Sequence, residues 1–329
     1  MEVGMKLVRL VMLFLFSVCV FCSLSVPAAT AATELVPFYT PAVGGTGYIL
    51  GAGVVTVTNK FLPDVKMVHE STTGSMEIVR RMMQREAQKK DCFGLFGTVD
   101  AWNAMYGKNE YAGKPFAGIR ALTYVLGTDV YLVVPANSPI KSWADVRGKR
   151  IGIGGPGSTS ANTALYLLEE YGIAKKDFKP YYFVYRETVE GIQNDSLDGG
   201  ILVGGYPVAA YSELATQRAV RIVPVDERIM KKVTTDHPYY YRTVIKAKSY
   251  KGLEQDTPVL GFTTAIYAHE GMSSDFVYKI MKNLFEHKAD YYAIHASAKD
   301  MSLEDVTKGI PIPFHPGAVK YLKEIGAMK

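Results

Sequence analysis

The chain has 329 residues, and 37 Lys and Arg against 32 Asp and Glu give it a formal net charge of +5 at pH 7. The positive residues are dispersed among acidic ones, which argues against binding to nucleic acid or to a lipid surface. With 48% apolar residues, a chain of this length can bury a sizeable core, and we expect two domains.

The N-terminus has the pattern of a secretory signal peptide. Lys6 and Arg9 precede an apolar run from Leu10 to Val26, and the small-residue stretch Ala28-Ala29-Thr30-Ala31-Ala32 follows. This order predicts a signal peptide over residues 1–31 that is cleaved near Ala31. An uncleaved membrane anchor is the alternative interpretation.

Cysteine usage excludes a disulfide framework in the exported chain. Cys19 and Cys22 belong to the predicted signal peptide, so only Cys92 remains after cleavage. Cys92 begins the apolar run Cys92-Phe93-Gly94-Leu95-Phe96, which is typical of a buried strand. We therefore interpret Cys92 as a small core residue rather than a nucleophile.

Beyond the signal peptide, strand and helix patterns alternate, which predicts an α/β fold with mainly parallel sheets. In chain order, strands are predicted at residues 35–40, 65–70, 92–96, 119–126, 129–135, 149–153, 181–185, 200–203, 220–225 and 259–269. Helices are predicted at residues 48–61, 75–88, 99–106, 142–148, 161–171, 188–194, 208–216, 226–234, 274–287 and 290–298, and from residue 316 onward. Residues 246–256 are predicted to form a loop.

Two long β stretches, near residues 119–135 and 257–269, separate a middle block from its flanks. We expect the chain to cross between domains there. Residues 32–126 and 257–329 would form a discontinuous domain I, and residues 127–256 would form domain II. Ligands of open α/β sheets bind beyond the carboxyl ends of the strands, so we expect a hinge and a cleft between the domains.

Three loops crowd small residues at the entrance to a predicted helix. They are Gly44-Gly45-Thr46-Gly47, Ser71-Thr72-Thr73-Gly74-Ser75 and Gly154-Gly155-Pro156-Gly157-Ser158-Thr159-Ser160. The first turn of a helix leaves backbone N–H groups unpaired, and these donors combine with the helix dipole to attract an anion. The three loops therefore predict helix starts that converge on a small anionic ligand.

The third loop also matches the dinucleotide-binding pattern at Gly152, Gly154 and Gly157. Pro156 removes a donor from this loop, and no acidic residue ends the next predicted strand. We therefore expect no nucleotide cofactor. The hydroxyls of Ser158, Thr159 and Ser160 suit a carboxylate better, although one of them is expected only to cap its helix.

The sequence contains no nucleophile elbow, no phosphate-binding Walker motif and no histidine spacing typical of a metal site. We therefore predict a binding protein rather than an enzyme, with no cofactor and no metal. Tyr48 and Tyr206 each lie next to a Gly-Gly loop at a predicted helix start. A phenol at such a position can cover the apolar part of a ligand and donate a hydrogen bond to its oxygen.

Several motifs occur in an order that resembles a known family. They are Gly44-Gly45-Thr46-Gly47, Thr73-Gly74-Ser75-Met76-Glu77, Gly97-Thr98-Val99-Asp100-Ala101, the run from Ser138 to Arg150, Gly155-Pro156-Gly157-Ser158, Gly205-Tyr206-Pro207 and Ile312-Pro313-Phe314-His315-Pro316-Gly317-Ala318. The family is the TAXI-type solute-binding proteins of TRAP transporters, and the resemblance covers nearly the whole mature chain.

The resemblance implies a two-domain periplasmic binding protein of type II. It implies capture of a small carboxylate, such as a C4–C5 dicarboxylate like 2-oxoglutarate or an acidic amino acid like glutamate, and delivery to a TRAP membrane permease. We expect a monomer in the periplasm. The candidate ligand-binding residues are Gly45, Thr46, Tyr48, Thr73, Gly74, Ser75, Thr98, Ser158, Thr159, Ser160, Gly205 and Tyr206.

The sequence also departs from the family pattern. The first loop continues as Gly47-Tyr48-Ile49-Leu50 instead of two aromatic residues and a proline, Thr98 replaces a serine, and Thr40-Pro41-Ala42-Val43 replaces a glycine-richer approach. These changes put the identity of the ligand in question. Two other functions stay open at this point: a periplasmic subunit that reports ligand occupancy to a membrane kinase, and an exported enzyme on the same scaffold.

Overall fold

Strands and helices alternate along the chain as the sequence predicts. The computed structural model describes residues 35–43, 45–205 and 207–329, so the predicted signal peptide lies outside the described residues. The strands are β1 (Leu35–Thr40), β2 (Lys66–Ser71), β3 (Phe93–Gly97), β4 (Ile119–Pro135), β5 (Arg150–Gly152), β6 (Lys179–Tyr181), β7 (Gly199–Gly204), β8 (Val220–Val223), β9 (Tyr240–Ile245) and β10 (Thr257–His269).

Helices follow most of the strands. They are α1 (Thr46–Phe61), α2 (Ser75–Ala87), α3 (Thr98–Tyr106), α4 (Thr159–Glu170), α5 (Tyr185–Gln193), α6 (Ala209–Gln217), α7 (Glu227–Asp236), α8 (Ser274–Glu286), α9 (Lys288–Tyr292) and α10 (Pro316–Glu324). Short 3-10 helices lie at Asn109–Tyr111, Trp143–Val146, Lys175–Asp177 and Ala296–Asp300.

The strands form one mixed sheet in the order β2-β1-β3-β10-β4-β7-β5-β6, with β8 paired to β4 and β9 paired to β10. The pairings are parallel on both sides, in β2-β1-β3 and in β6-β5-β7. The pairings are antiparallel in the middle, where β4 and β10 run beside each other. These two long strands are the two stretches in which we expected the chain to cross between domains.

Both faces of the sheet are covered, because the helices bury apolar stripes against it. On the β1-β3 side, Leu50 of α1 and Leu284 of α8 pack on one face, and Ile78 of α2 packs on the other. On the β5-β7 side, Leu167 of α4 and Leu214 of α6 belong to separate clusters. Each half of the sheet therefore has its own core, and the α/β fold is confirmed.

Several segments differ from the prediction. The helix predicted at residues 142–148 is a short 3-10 helix at Trp143–Val146, and the helix predicted at residues 290–298 ends at Tyr292.

Two further differences concern strands. The aromatic run at residues 181–185 reads as a strand, but the strand ends at Tyr181 and α5 begins at Tyr185. The Glu187 carboxylate accepts a hydrogen bond from the Val184 backbone N–H, which starts a helix there. Strand β9 was not predicted, and it forms because Tyr240–Ile245 pairs along the edge of β10.

Cys92 is buried in the core beside β3, as predicted. Burial raises the pKa of its thiol to about 12, so the thiol stays protonated at neutral pH and is not a nucleophile. Within the described residues, none of the helices has the length and apolar character needed to cross a membrane.

Candidate functional site

A cavity of ≈ 260 Å³ lies where the carboxyl ends of the parallel strands meet the starts of several helices. Its wall includes the junctions β1–α1, β2–α2, β5–α4, β6–α5 and β7–α6. Helix starts present backbone N–H groups and the positive end of the helix dipole. Five such ends around one cavity make it the strongest candidate for a ligand site in the described part of the chain.

Most of the predicted site residues lie on this wall. They are Gly45, Thr46, Thr73, Gly74, Ser75, Ser158, Thr159, Ser160 and Gly205. The structure thus brings together residues of all three loops and of the Gly-Gly turn at the end of β7. These segments are spread along the chain from residue 45 to residue 205.

Two predicted residues are not on the wall. The Tyr48 ring packs against the ring of His69, with the ring centroids 4.6 Å apart, because this position of α1 faces β2. Thr98 is fully buried, and its hydroxyl accepts a hydrogen bond from the Thr263 backbone N–H at 3.3 Å. Tyr206 lies outside the described residues.

The starts of α2 and α4 touch each other across the cavity. The Thr159 hydroxyl lies 3.1 Å from the Ser75 hydroxyl. A Cβ atom added to Gly74 would lie 3.0 Å from the Gly157 carbonyl oxygen and 3.1 Å from the Ser158 Cα. Glycine at position 74 therefore permits the close approach of the two loops.

The hydroxyls at the start of α4 have different roles. Ser158 caps the helix, since its hydroxyl accepts from the Ala161 N–H at 3.1 Å and donates to the Gly155 carbonyl at 2.7 Å. Thr159 instead contacts Ser75.

The starts of α1 and α2 differ from that of α4. Their N-cap residues are Gly45 and Gly74, which make no side-chain capping bond. The ends of α1 and α2 therefore keep N–H groups available for a ligand.

Sequence reasoning missed much of the apolar part of the wall. Phe96 and Phe262 come from β3 and β10, and Phe183, Val184 and Tyr185 come from the β6–α5 junction. The Tyr185 hydroxyl donates to the Val203 carbonyl, which fixes the ring against β7. Val184 has no side-chain oxygen to cap the helix, so the sequence signature of an N-cap is missing here, and this fourth loop at the site was not visible in the sequence.

Charge is scarce at the cavity. The part of the wall formed by the described residues contains no Lys, Arg, Asp or Glu, and its one titratable side chain besides Tyr185 is His295. The His295 Nδ1 accepts from the Ser297 N–H at 3.1 Å, so a neutral His295 carries its proton on Nε2. Within the described ranges no group of three or more His, Cys, Asp or Glu is placed to hold a metal ion.

A buried carboxyl group lies behind the wall. Asp100, on α3, is fully buried, and its Oδ2 is hydrogen-bonded to the Thr159 hydroxyl. Burial and the nearby charge of Glu110 raise the pKa of Asp100 to about 7, although the hydroxyls of Thr159 and Ser75 lower it. Asp100 lies in one of the motifs that carry the family resemblance. Its contact with the site could not be predicted from that motif, because Thr159 lies 59 positions away in the sequence.

The fold and the site define a class. The chain has the α/β two-domain fold of periplasmic binding proteins, with the cavity at the helix starts where such a fold binds its ligand. The family model described as the NMT1-like family matches residues 38–326. The chain therefore belongs to the NMT1-like family.

Solved structures match this chain at low sequence identity. A chain from the glutathione import system GshT and the cystine importer TcyBC of Streptococcus mutans is 11% identical, with a TM-score of 0.51 over 82% of this chain and 96% of that chain. The periplasmic aliphatic sulphonate binding protein SsuA from Escherichia coli is 18% identical, with a TM-score of 0.43 over 88% and 78%. A TctC solute binding protein from Polaromonas is 12% identical, with a TM-score of 0.48 over 91% and 100%.

Proposed function

We propose that the protein is an exported receptor that captures a small carboxylate and delivers it to a TRAP-type membrane permease. The observation that carries the proposal is the convergence of five strand-to-helix junctions on one cavity. Uncapped helix starts at Gly45 and Gly74 and the hydroxyls of Ser75 and Thr159 are suited to bind one carboxylate group. Family membership and fold support a binding role.

The wall favours a ligand with one carboxylate and an apolar remainder. Phe96, Phe183 and Phe262 are suited to the apolar part, and the hydroxyls and N–H groups to the carboxylate. A second carboxylate would be buried without an Arg or Lys from the described part of the wall, and an unpaired buried charge is costly. We therefore rank small monocarboxylates above the C4–C5 dicarboxylates and acidic amino acids that the resemblance implies.

Binding would close the cleft further. We infer that domain I, residues 32–126 and 257–329, and domain II, residues 127–256, move about β4 and β10. The touching starts of α2 and α4 would then secure the ligand, and the closed surface would be the form that the permease recognises. The TAXI resemblance and the predicted signal peptide support a periplasmic location and the TRAP partner.

Calorimetric titration with a matched pair of ligands tests the substrate class. 2-Oxoglutarate and 2-oxopentanoate share a five-carbon 2-oxo acid skeleton and differ at the distal end, carboxylate against methyl. We expect 2-oxopentanoate to bind about tenfold or more tightly than 2-oxoglutarate, equivalent to ~1.4 kcal/mol. Tighter binding of the dicarboxylate would contradict the ranking. Absence of binding by either acid, together with binding of a sugar or a metal ion, would contradict the carboxylate class.

A further inference from the structure

Asp100 is placed to control the direction of the hydrogen bonds at the cavity wall. Its Oδ2 is bonded to the Thr159 hydroxyl, which lies 3.1 Å from the Ser75 hydroxyl, and both hydroxyl-bearing residues face the cavity. Among the described residues, the other oxygen of Asp100, Oδ1, has no hydrogen-bond partner. Asp100 itself does not line the cavity, so it acts on a ligand through Thr159 and Ser75.

Each hydroxyl group has one proton to donate. An ionised Asp100 only accepts, so the Thr159 hydroxyl donates a hydrogen bond to it, and the Ser75 hydroxyl, whose hydrogen bond also lowers the pKa of Asp100, is drawn to the same carboxylate. Neither hydroxyl proton is then available to a ligand. A neutral Asp100 donates its own proton to Thr159. The Thr159 hydroxyl is then free to donate to Ser75 or to a ligand, and Ser75 is free to donate to a ligand in turn.

We propose that Asp100 is a positioning residue that must be protonated for the Thr159 and Ser75 hydroxyls to donate to a bound carboxylate, so that ligand capture takes up one proton. This inference rests on the proposed function, because it concerns the same site and the same anionic ligand. The proton is bound at an oxygen of Asp100 and is released to solvent when the ligand leaves.

The surroundings of Asp100 favour its neutral form. The titratable groups that act on it or respond to its charge are Glu110 beyond α3, Tyr111, Tyr239, Tyr240 and Tyr267. This set has no cation, and the Glu110 carboxyl opposes a second negative charge. Burial and Glu110 raise the pKa of Asp100 to about 7, so the group titrates near neutral pH before any ligand is bound.

A bound anion would raise the pKa of Asp100 further, because it adds a negative charge nearby. Above pH 7 the affinity for a carboxylate therefore falls by about tenfold per pH unit, until the pH exceeds the pKa of the bound form. His295 is a second titratable side chain on the described wall, and substitution distinguishes its contribution from that of Asp100.

The test is calorimetric titration with 2-oxopentanoate between pH 6 and 9, in buffers of different ionisation enthalpy. We expect the unmodified protein to take up close to one proton per ligand at pH 8. Asp100→Asn has an amide that donates to Thr159 at every pH, so its affinity should be independent of pH and its proton uptake lost. His295→Gln should retain the pH dependence of the unmodified protein.

Two further variants keep the test decisive if Asp100→Asn folds poorly. Glu110→Gln removes the neighbouring charge, and its midpoint for loss of affinity should move to lower pH. Asp129→Asn is the matched control, because Asp129 is another buried carboxyl with a pKa raised to about 7, on β4, and is not bonded to Thr159 or Ser75. It should retain both the slope and the proton uptake.

The outcomes separate the two proposals. Binding of 2-oxopentanoate without proton uptake, or the same pH slope in Asp100→Asn as in the unmodified protein, overturns the role of Asp100 and leaves the carboxylate function standing. Absence of binding of both 2-oxopentanoate and 2-oxoglutarate by the unmodified protein at pH 6, together with binding of a sugar or a metal ion, overturns both proposals.

Discussion

The Thr159 hydroxyl lies 3.1 Å from the Ser75 hydroxyl, although 84 residues separate them in the sequence. Thr159 is the first residue of α4 and Ser75 is the first residue of α2, so the contact joins two helix starts. The Asp100 carboxyl lies behind this pair. Ser75 and Thr159 form the polar corner of a cavity whose remaining wall is largely apolar, and Asp100 contacts this corner from behind.

Removing either hydroxyl should weaken ligand binding. We expect Ser75→Ala and Thr159→Val each to reduce the affinity for 2-oxopentanoate about five- to tenfold, in keeping with ~1 kcal/mol for one hydrogen bond. The double variant should lose less than the sum, because the two hydroxyls share one network. Calorimetry measures all three affinities.

Thr56→Val is a control for these variants. The Thr56 hydroxyl donates to the Ala52 carbonyl within α1, away from the cavity wall. Its loss should leave the affinity unchanged. An unchanged affinity in the double variant Ser75→Ala, Thr159→Val would show that these two hydroxyls do not bind the ligand.

Gly74→Ala should hinder contact between the two loops. Its Cβ atom would lie 3.0 Å from the Gly157 carbonyl oxygen, so α2 and α4 would have to separate. We expect at least about a tenfold loss of affinity, or ~1.4 kcal/mol. Gly113→Ala is the matched control, because Gly113 also has a positive φ, of 76°, but a Cβ there meets no atom within 4 Å. It should lower thermal stability without a comparable loss of affinity.

Stability should depend on pH through Asp100. Its pKa is about 7 in the folded protein against an ordinary value of 3.8, so ionisation in the folded state is unfavourable. This cost is absent below pH 3.8, grows as the pH rises and is complete above pH 7, with an upper limit of ~4 kcal/mol. Asp100→Asn should therefore stabilise the protein more at pH 8 than at pH 5, as measured by urea unfolding.

Asp198→Asn should show the opposite sign. Hydrogen bonds from Arg150 hold the pKa of Asp198 below its usual value, so this carboxylate stabilises the fold above its unfolded pKa. The stabilisation is lost as the pH falls through the folded pKa. The variant should be less stable than the unmodified protein at pH 8. Equal pH profiles for Asp100→Asn and Asp198→Asn would exclude the assigned roles.

Thiol titration tests both the burial of Cys92 and the cleavage of the signal peptide. The native exported protein should show no reactive thiol at pH 8, because the Cys92 thiol is buried and has a pKa of about 12. After denaturation it should show one. Three thiols after denaturation would mean that Cys19 and Cys22 are retained.

Local sequence patterns account for most of the elements. β1, from Leu35 to Thr40, and the glycine- and hydroxyl-rich loops at the helix starts are visible as short-range patterns. The aromatic run at residues 181–185 predicts a strand because aromatic residues favour strands, but this preference is weaker than the hydrogen bond to Glu187 that starts α5. β9 depends on pairing with β10, which no local pattern reveals.

The candidate site was only partly predictable for the same reason. Loop composition located Gly74 and Ser75, but the direction of a side chain depends on packing. Thr98 turns toward Thr263 on β10, whereas Asp100, two residues later, reaches Thr159 on α4. The lack of Lys and Arg on the described wall could not be predicted either, because the chain as a whole has a net positive charge and only the fold decides where those residues lie.

The most direct test of the central claim compares an acid with its amide. Calorimetry at pH 6.5 with 2-oxopentanoate and 2-oxopentanamide changes the carboxylate group and little else. If helix starts and hydroxyls bind a carboxylate, the acid should bind at least about tenfold more tightly, or ~1.4 kcal/mol, and Ser75→Ala should reduce that difference. Equal affinity for the acid and the amide would contradict the claim.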